Sequence, residues 1–267
     1  MLDRRNFLKT LAAGSVAFGK RADTPVPIRS ARSGLWSSAG TWEGGHVPAA
    51  GSVVEIVAGH AVTYDVESDF VIRMVHVLGT LSFARHRNTR LDVGLLKIAG
   101  DASEDGAGLS PHFHFAARPA LEIGTPDDPI PAAHTALVRL VYCEGFDKDS
   151  LPSLMCSGGR MDLHGAPLSR TWVKLGAPVK KGDTEITLSE PVTGWRAGDR
   201  VILTATKRQI IIEDTFRDSV RDNTQTEERI VKSIAGDKLT LEAPAQFDHK
   251  CEGPYRGEVA NLSRNVI

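Results

Sequence analysis

An apolar run that ends in glycine and restarts as another short apolar run recurs along this chain, as HVLGTLSF, LKIAGDA, LEIGTPDDP and DLHGAPL. The recurrence, at roughly 20 residues, favours the stacked rungs of a solenoid over a sandwich, with each turn burying its inward side chains against the next. The runs SVVEIV, AVTYDV, FVIRMVHV, ALVRLVY, RMDLHG and TWVKLG carry the same pattern. They alternate apolar and polar residues, are rich in β-branched side chains and are bounded by Gly, Pro, Asn and Asp, which makes them strands. Nothing after the N-terminus has helical periodicity, so the fold class expected is all-β.

From about Gly176 the pattern changes. Gly182-Asp183, Gly198-Asp199 and Gly236-Asp237 each lead into an alternating run, TEITL, RVIL and KLTL. Gly and Asp tolerate the positive φ of a tight turn, so ERIVKSIAGDKLTLEAP reads as a hairpin and an antiparallel elaboration is expected in the C-terminal half. The long polar stretch TKRQIIIEDTFRDSVRDNTQTEE reads as an exposed loop.

The 267 residues suffice for a real hydrophobic core, and a formal net charge of -1 gives no electrostatic reason to expect nucleic acid or an anionic membrane as partner. Arg4 and Arg5 precede Phe7, Leu8 and Lys9 and a short apolar stretch, which resembles a twin-arginine export signal. The stretch from Leu11 to Phe18 is too short to cross a bilayer, so an exported protein without a transmembrane segment is expected, in the periplasm, at the cell surface or outside the cell. The three cysteines, Cys143, Cys156 and Cys251, are too few for a disulfide scaffold and form no C-x-x-C pair. Two readings stand for Cys143 and Cys156: a bridge across a loop, or buried free thiols.

GLWSSAGTWEGGHVPAAGSVVEIVAGHAVTYDV, followed by VLGTLSF, LEIGTPDDPIP and RMDLHGAP, resembles the G-eight domain, named for its eight glycines. Fibrocystin, the hyaluronan-binding cell-migration-inducing protein and many bacterial exported proteins contain it. The similarity runs on through TWVKLGAPVKKGDTEITL, GWRAGDRVIL and GEVANLSRNVI, from Gly34 to the end. It implies a right-handed parallel β-helix with an antiparallel elaboration, engagement of a polysaccharide and, in some relatives, hyaluronan depolymerisation. The expected division is a signal and linker over 1–33, the G-eight domain over 34–168 and an adjoining β-rich segment over 169–267. In relatives further coils follow the final RNV strand, so this chain reads as a truncated β-helix whose open last coil invites self-association.

Trp36 and Trp42, among glycines, offer either a sugar-stacking platform or a cap on the first coil. Arg85, His86 and Arg87 are candidates for holding an anionic glycan, and such binding would weaken with salt. Asp101, Glu104, Asp105, His112 and His114 share one loop; His-x-His suits a transition metal and clustered carboxylates suit calcium. The default reading is a solvated loop and no cofactor, with calcium there as the alternative. Glycoside hydrolysis needs two carboxylates flanking the bond, and uronate elimination needs a base and a cation. The candidates are Glu213, Asp214, Asp248, His249 and Arg264, each with an ordinary surface or turn explanation. In RMDLHG, period two places Asp162 and His164 on one face, where neighbouring coils could extend a polar ladder. Asn261-Leu262-Ser263 is formally a glycosylation sequon and is read as chance. A carbohydrate-binding or structural module is the leading expectation. A polysaccharide hydrolase or lyase and a surface adhesion protein are the alternatives.

Overall fold

The computed structural model describes residues 26–99, 118–207 and 225–267. The twin-arginine segment, the proposed metal loop and both Glu213 and Asp214 lie outside the described residues. The described chain is all-β, with parallel sheets in its N-terminal part and an antiparallel sheet after them.

The parallel part is made by β1 (Ile28–Arg29), β2 (Gly34–Leu35), β3 (Val53–Ile56), β4 (Ala61–Tyr64), β5 (Glu67–Val77), β6 (Thr80–Phe83), β7 (Thr89–Ala99), β8 (Ala120–Ile123), β9 (Ala136–Leu140), β10 (Ser153–Ser157) and β11 (Arg160–Leu163). The chain visits two sheets in turn. One runs β1-β3-β5-β7, and β7 then forks, pairing β9 along Thr89–Val93 and β10 along Leu95–Ala99. The other runs β2-β4-β6-β8-β11. Every pairing within these two sheets is parallel. Alternation sends Val54, Ile56, Val62, Leu81, Leu96 and Leu121 inward to full burial, while Thr63, Ser82, Glu122 and Asp162 form an outward column from rung to rung. The strand-ending glycines answer to close approach of backbones. A Cβ on Gly79 would lie 2.3 Å from the His60 carbonyl oxygen and 2.5 Å from that of Val57.

The antiparallel part comprises β12 (Trp172–Lys174), β13 (Glu185–Thr187), β14 (Arg200–Leu203), β15 (Glu227–Ala235), β16 (Lys238–Leu241), the short pair β17 (Cys251–Glu252) and β18 (Tyr255–Arg256), and β19 (Glu258–Asn261). Its main sheet has the order β12-β19-β14-β15-β16-β13 and curls as a half-barrel around a second core of Val173, Leu175, Ile186, Val201, Leu203, Val231, Leu239 and Val259. Its two edges approach at the Leu175–Leu188 bridge, with Ser189 N donating to the Lys174 carbonyl at 2.8 Å. Of the three Gly-Asp turns only Gly236-Asp237 joins two adjacent paired strands, with Gly236 at φ 62°. The other two lead into β13 and β14, which pair with β16 and with β15 and β19 respectively.

The last described residues leave the antiparallel sheet and return to the parallel part. Val266 pairs in parallel with Ala136 of β9 and packs on the first core. Ile267 N donates to the Ala136 carbonyl at 2.9 Å, and Val138 N donates to that of Ile267 at 2.8 Å. The buried Asn265 amide fixes this return, its Nδ2 facing the carbonyls of Ile130, Pro131 and His134 at 3.0, 3.0 and 2.9 Å while its Oδ1 accepts from Ala166 N at 2.8 Å. The cysteines form no bridge: Cys143 and Cys156 are both free thiols, Cys143 half-buried and Cys156 exposed.

Candidate functional site

Successive rungs turn the same corner after Leu35, Tyr64 and Phe83, and that corner carries a polar cleft. Trp36 N donates to the Thr63 carbonyl at 2.8 Å, which sets Ser37 beside Asp65. The Asp65 carboxylate is buried and accepts from Ser37 N at 3.0 Å and from Ser37 Oγ at 2.6 Å. One rung on, Arg87 donates to the Asp65 carbonyl at 3.0 Å. His86 and Arg87 are exposed at the mouth with Glu67 and Asn88, and His134 closes the side. The cleft encloses about 720 Å³. Asn88 Oδ1 accepts from Thr135 N at 3.0 Å, which leaves its NH2 group for a ligand. Guanidinium, imidazole, amide and carboxylate groups converge here, a set that can donate to and accept from a polyhydroxylated ligand at once.

Beneath the corner, Trp36, Trp42, Tyr64 and Phe83 form an aromatic stack. Trp36 meets Trp42 edge-on at 4.9 Å and Tyr64 at 5.1 Å, and Tyr64 meets Phe83 at 5.2 Å. Both tryptophans are only 2% exposed, so neither ring offers a face to a sugar. The Tyr64 hydroxyl donates to the Arg90 carbonyl at 2.7 Å, and burial first, then the Asp92 and Asp65 carboxylates, pushes its pKa well above the ordinary range. Asp92, also buried, takes a bidentate pair from Arg90 at 2.9 and 2.8 Å.

Other candidates sit elsewhere. Arg85 turns away from the cleft to the Pro129 carbonyl at 3.1 Å and an ion pair with Asp128. His249 is 1% exposed in the second core, Nδ1 at 2.9 Å from the Thr204 carbonyl and Nε2 at 2.7 Å from the Glu227 carboxylate. Both ring nitrogens are thus engaged within the fold. Glu227 also pairs with Arg229 and accepts from Gln246 N at 2.8 Å, a buried network that sequence reasoning missed. Asp248 accepts from Lys181 N at 2.9 Å; that hydrogen bond, followed by nearby positive charge, holds its carboxyl below the usual range. Arg264 is exposed and donates to the Asn261 carbonyl at 2.9 Å. It borders a second cavity of about 630 Å³, lined largely by apolar residues such as Leu140, Leu154, Leu163 and Val266. Arg160 bridges Asp162 and Glu122 across rungs, offsetting one of the two negative charges of the polar column. Asn261 is buried and donates to Asp199 Oδ2 at 2.7 Å, which removes it as a glycosylation site. Among the described residues no group of three or more His, Cys, Asp or Glu is placed to hold a metal ion.

Of the cleft, the sequence alone singled out only His86 and Arg87. Ser37, Asp65, Glu67, Asn88 and His134 were missed, although the repeat held the signal. Pairing Tyr64 with Phe83, as the parallel register does, places Asp65 and the segment after Phe83 on one corner.

Residues 41–176 match the family model of the G8 domain. Fibrocystin-L of Mus musculus is 25% identical over 254 residues, and fibrocystin-L of Homo sapiens is 28% identical over 245 residues; each alignment covers 87% of this chain and 5% of the relative. Protein rliB of Dictyostelium discoideum is 32% identical over 111 residues, covering 42% of this chain and 9% of that protein. The chain therefore spans about one twentieth of the length of the fibrocystin-L proteins. No helix among the described residues is long and apolar enough to cross a membrane.

Proposed function

The chain belongs to the G8 domain family, and from that premise we propose that it is an exported module that binds polysaccharide at the cell envelope without cleaving it. We further propose that its two parallel sheets are the faces of a right-handed β-helix, as the regular alternation of the chain between them suggests.

The observation that carries the binding reading is the corner cleft. It is wide, open and polar, and its groups come from consecutive rungs, so it suits an extended chain of hydroxylated rings. Arg87, whose hydrogen bond within the cleft goes only to the neutral Asp65 carbonyl, offers a charge-assisted donor to a carboxylate on the ligand, while Glu67 and Asp65 beside it serve as acceptors for hydroxyl groups. Retention without cleavage is the reading we favour because, among the described candidates, Asp248 and His249 are committed to backbone and core partners.

The test is retention of the full chain on immobilised hyaluronan, polygalacturonate and an uncharged β-glucan at rising salt, with the length of the soluble polysaccharide followed in parallel. The expected result is retention of an acidic polymer that falls as salt rises, polymer length unchanged, and a loss of at least about tenfold in the double variant His86→Ala and Arg87→Ala, equivalent to about 1.4 kcal/mol. Thermal unfolding checks that the variant is folded. No retention of any polymer, or equal retention by the folded variant, overturns the binding reading; a shortened polymer overturns the non-cleaving one.

A further inference from the structure

Four tryptophans occur in the chain, and three of them, Trp36, Trp42 and Trp195, are no more than 4% exposed. Trp172 is 51% exposed. It lies on β12, where Val173 points into the second core and alternation therefore turns Trp172 and Lys174 outward. Its partner across the ladder is Ala260, and Ile202 follows in the same row, so the indole stands over small and half-buried neighbours. Phe70 and Tyr255 are more exposed still, so exposure alone singles out nothing; what distinguishes Trp172 is the groove it stands in.

The surroundings of this ring make a groove of about 480 Å³, bordered by Arg170, Thr171, Lys174, Ser189 and Glu190. Its walls are held in place. Arg170 and Glu190 form a two-pronged pair at 2.8 and 2.7 Å. The Arg170 carbonyl accepts from the buried Trp195 indole at 2.9 Å, and the Thr171 carbonyl accepts from Asn261 N at 2.8 Å. Arg170 is thus committed to Glu190, whereas the Lys174 ammonium and the Trp172 indole N–H have no hydrogen-bond or ion-pair partner among the described residues. The groove offers one flat apolar face, one free cation, one free N–H donor and the Ser189 hydroxyl.

We propose that this groove is a second glycan subsite, in which a pyranose ring of an acidic polysaccharide stacks its C–H face on Trp172 and sets a carboxylate or sulfate against Lys174. An indole face covers the apolar face of a sugar, and the ammonium selects the charged residue of the polymer. The inference rests on the polysaccharide reading above. It is distinct from it in location, since the corner cleft lies in the parallel part and this groove lies on the antiparallel sheet.

Because Trp172 alone presents its ring to solvent, acrylamide quenching of tryptophan fluorescence reports on it selectively. The full chain is titrated with oligosaccharides of hyaluronan and polygalacturonate and with a β-glucan oligosaccharide. The expected outcome is protection from quenching by an acidic oligosaccharide. Trp172→Ala is expected to abolish the protected signal and weaken retention about tenfold, with the unfolding midpoint held because the ring is exposed. Trp172→Phe is expected to restore part of the retention, and Lys174→Gln to reduce the preference for acidic over uncharged oligosaccharide. If Trp172→Ala retains the polymer as well as the parent chain while the His86 and Arg87 variant does not, the subsite is overturned and the corner cleft stands. If no oligosaccharide protects the ring and no polymer is retained, both fall. Protection by an added polypeptide alone would overturn the subsite in favour of a protein partner.

Discussion

Tyr64 is buried against Trp36 and Phe83 and keeps its proton because burial, then the Asp92 and Asp65 carboxylates, disfavour the phenolate. In the unfolded chain the same phenol ionises from about pH 10. Above that pH the unfolded state binds fewer protons than the folded one, so stability is fully present below about pH 10 and is lost as pH rises toward the higher folded value. Tyr64→Phe removes this titration along with the hydrogen bond to the Arg90 carbonyl, which contributes about 1 kcal/mol. The expected outcome is a lower midpoint at neutral pH and a shallower fall of thermal stability between about pH 9 and 11; parallel slopes in the two proteins would count against it. Individual residues were the least legible scale in the sequence. Trp36, Trp42 and His249 drew attention as polar or aromatic candidates, yet their chemistry is spent on the core because partners such as Glu227 arrive from distant strands. Residue type announces what a side chain can do, and only the register of the sheets decides whether it is free to do it.

Strands are the scale at which the sequence was most readable. Period-two alternation and strand-ending glycines mark β3, β4, β6, β8 and β11 directly, since an inward position in a stacked rung admits only an apolar side chain. The glycines carry a stricter demand. At Gly79 two carbonyl oxygens occupy the space a Cβ would need, and neither is the far end of a flexible side chain. Gly79→Ala is expected to cost roughly 2–4 kcal/mol in urea unfolding, and a loss within about 0.5 kcal/mol would show that the rung yields easily. Pairing partners were less legible than the strands themselves. Three similar Gly-Asp turns gave one hairpin between successive strands and two long-range pairings, and the fork of β7 onto both β9 and β10 left no trace in periodicity, because one strand's alternation is blind to what lies across its edge.

At the scale of the molecule, two cores are tied by a segment too short to carry any pattern. Asn265 leaves the antiparallel sheet and places its side chain among the carbonyls of Ile130, Pro131 and His134, which a sequence reading has no means to anticipate. Asn265→Ala would strip these buried acceptors of their donor and leave Ala166 N without an acceptor. The expected loss is roughly 2–4 kcal/mol, with faster amide exchange at Ala136 and Val138, the residues that pair with the returning strand; unchanged exchange there would show that the asparagine holds nothing. The same contact also sets a clock. Rungs such as β4 and β6 pair with partners only one coil away and can assemble as the ribosome delivers them. The loop around Ile130 must wait for a residue 135 positions later, which at about 5–20 residues per second is a delay of roughly 7–27 s. During synthesis this corner of a nascent chain stands unlatched, and the arrival of Asn265 is what shuts it.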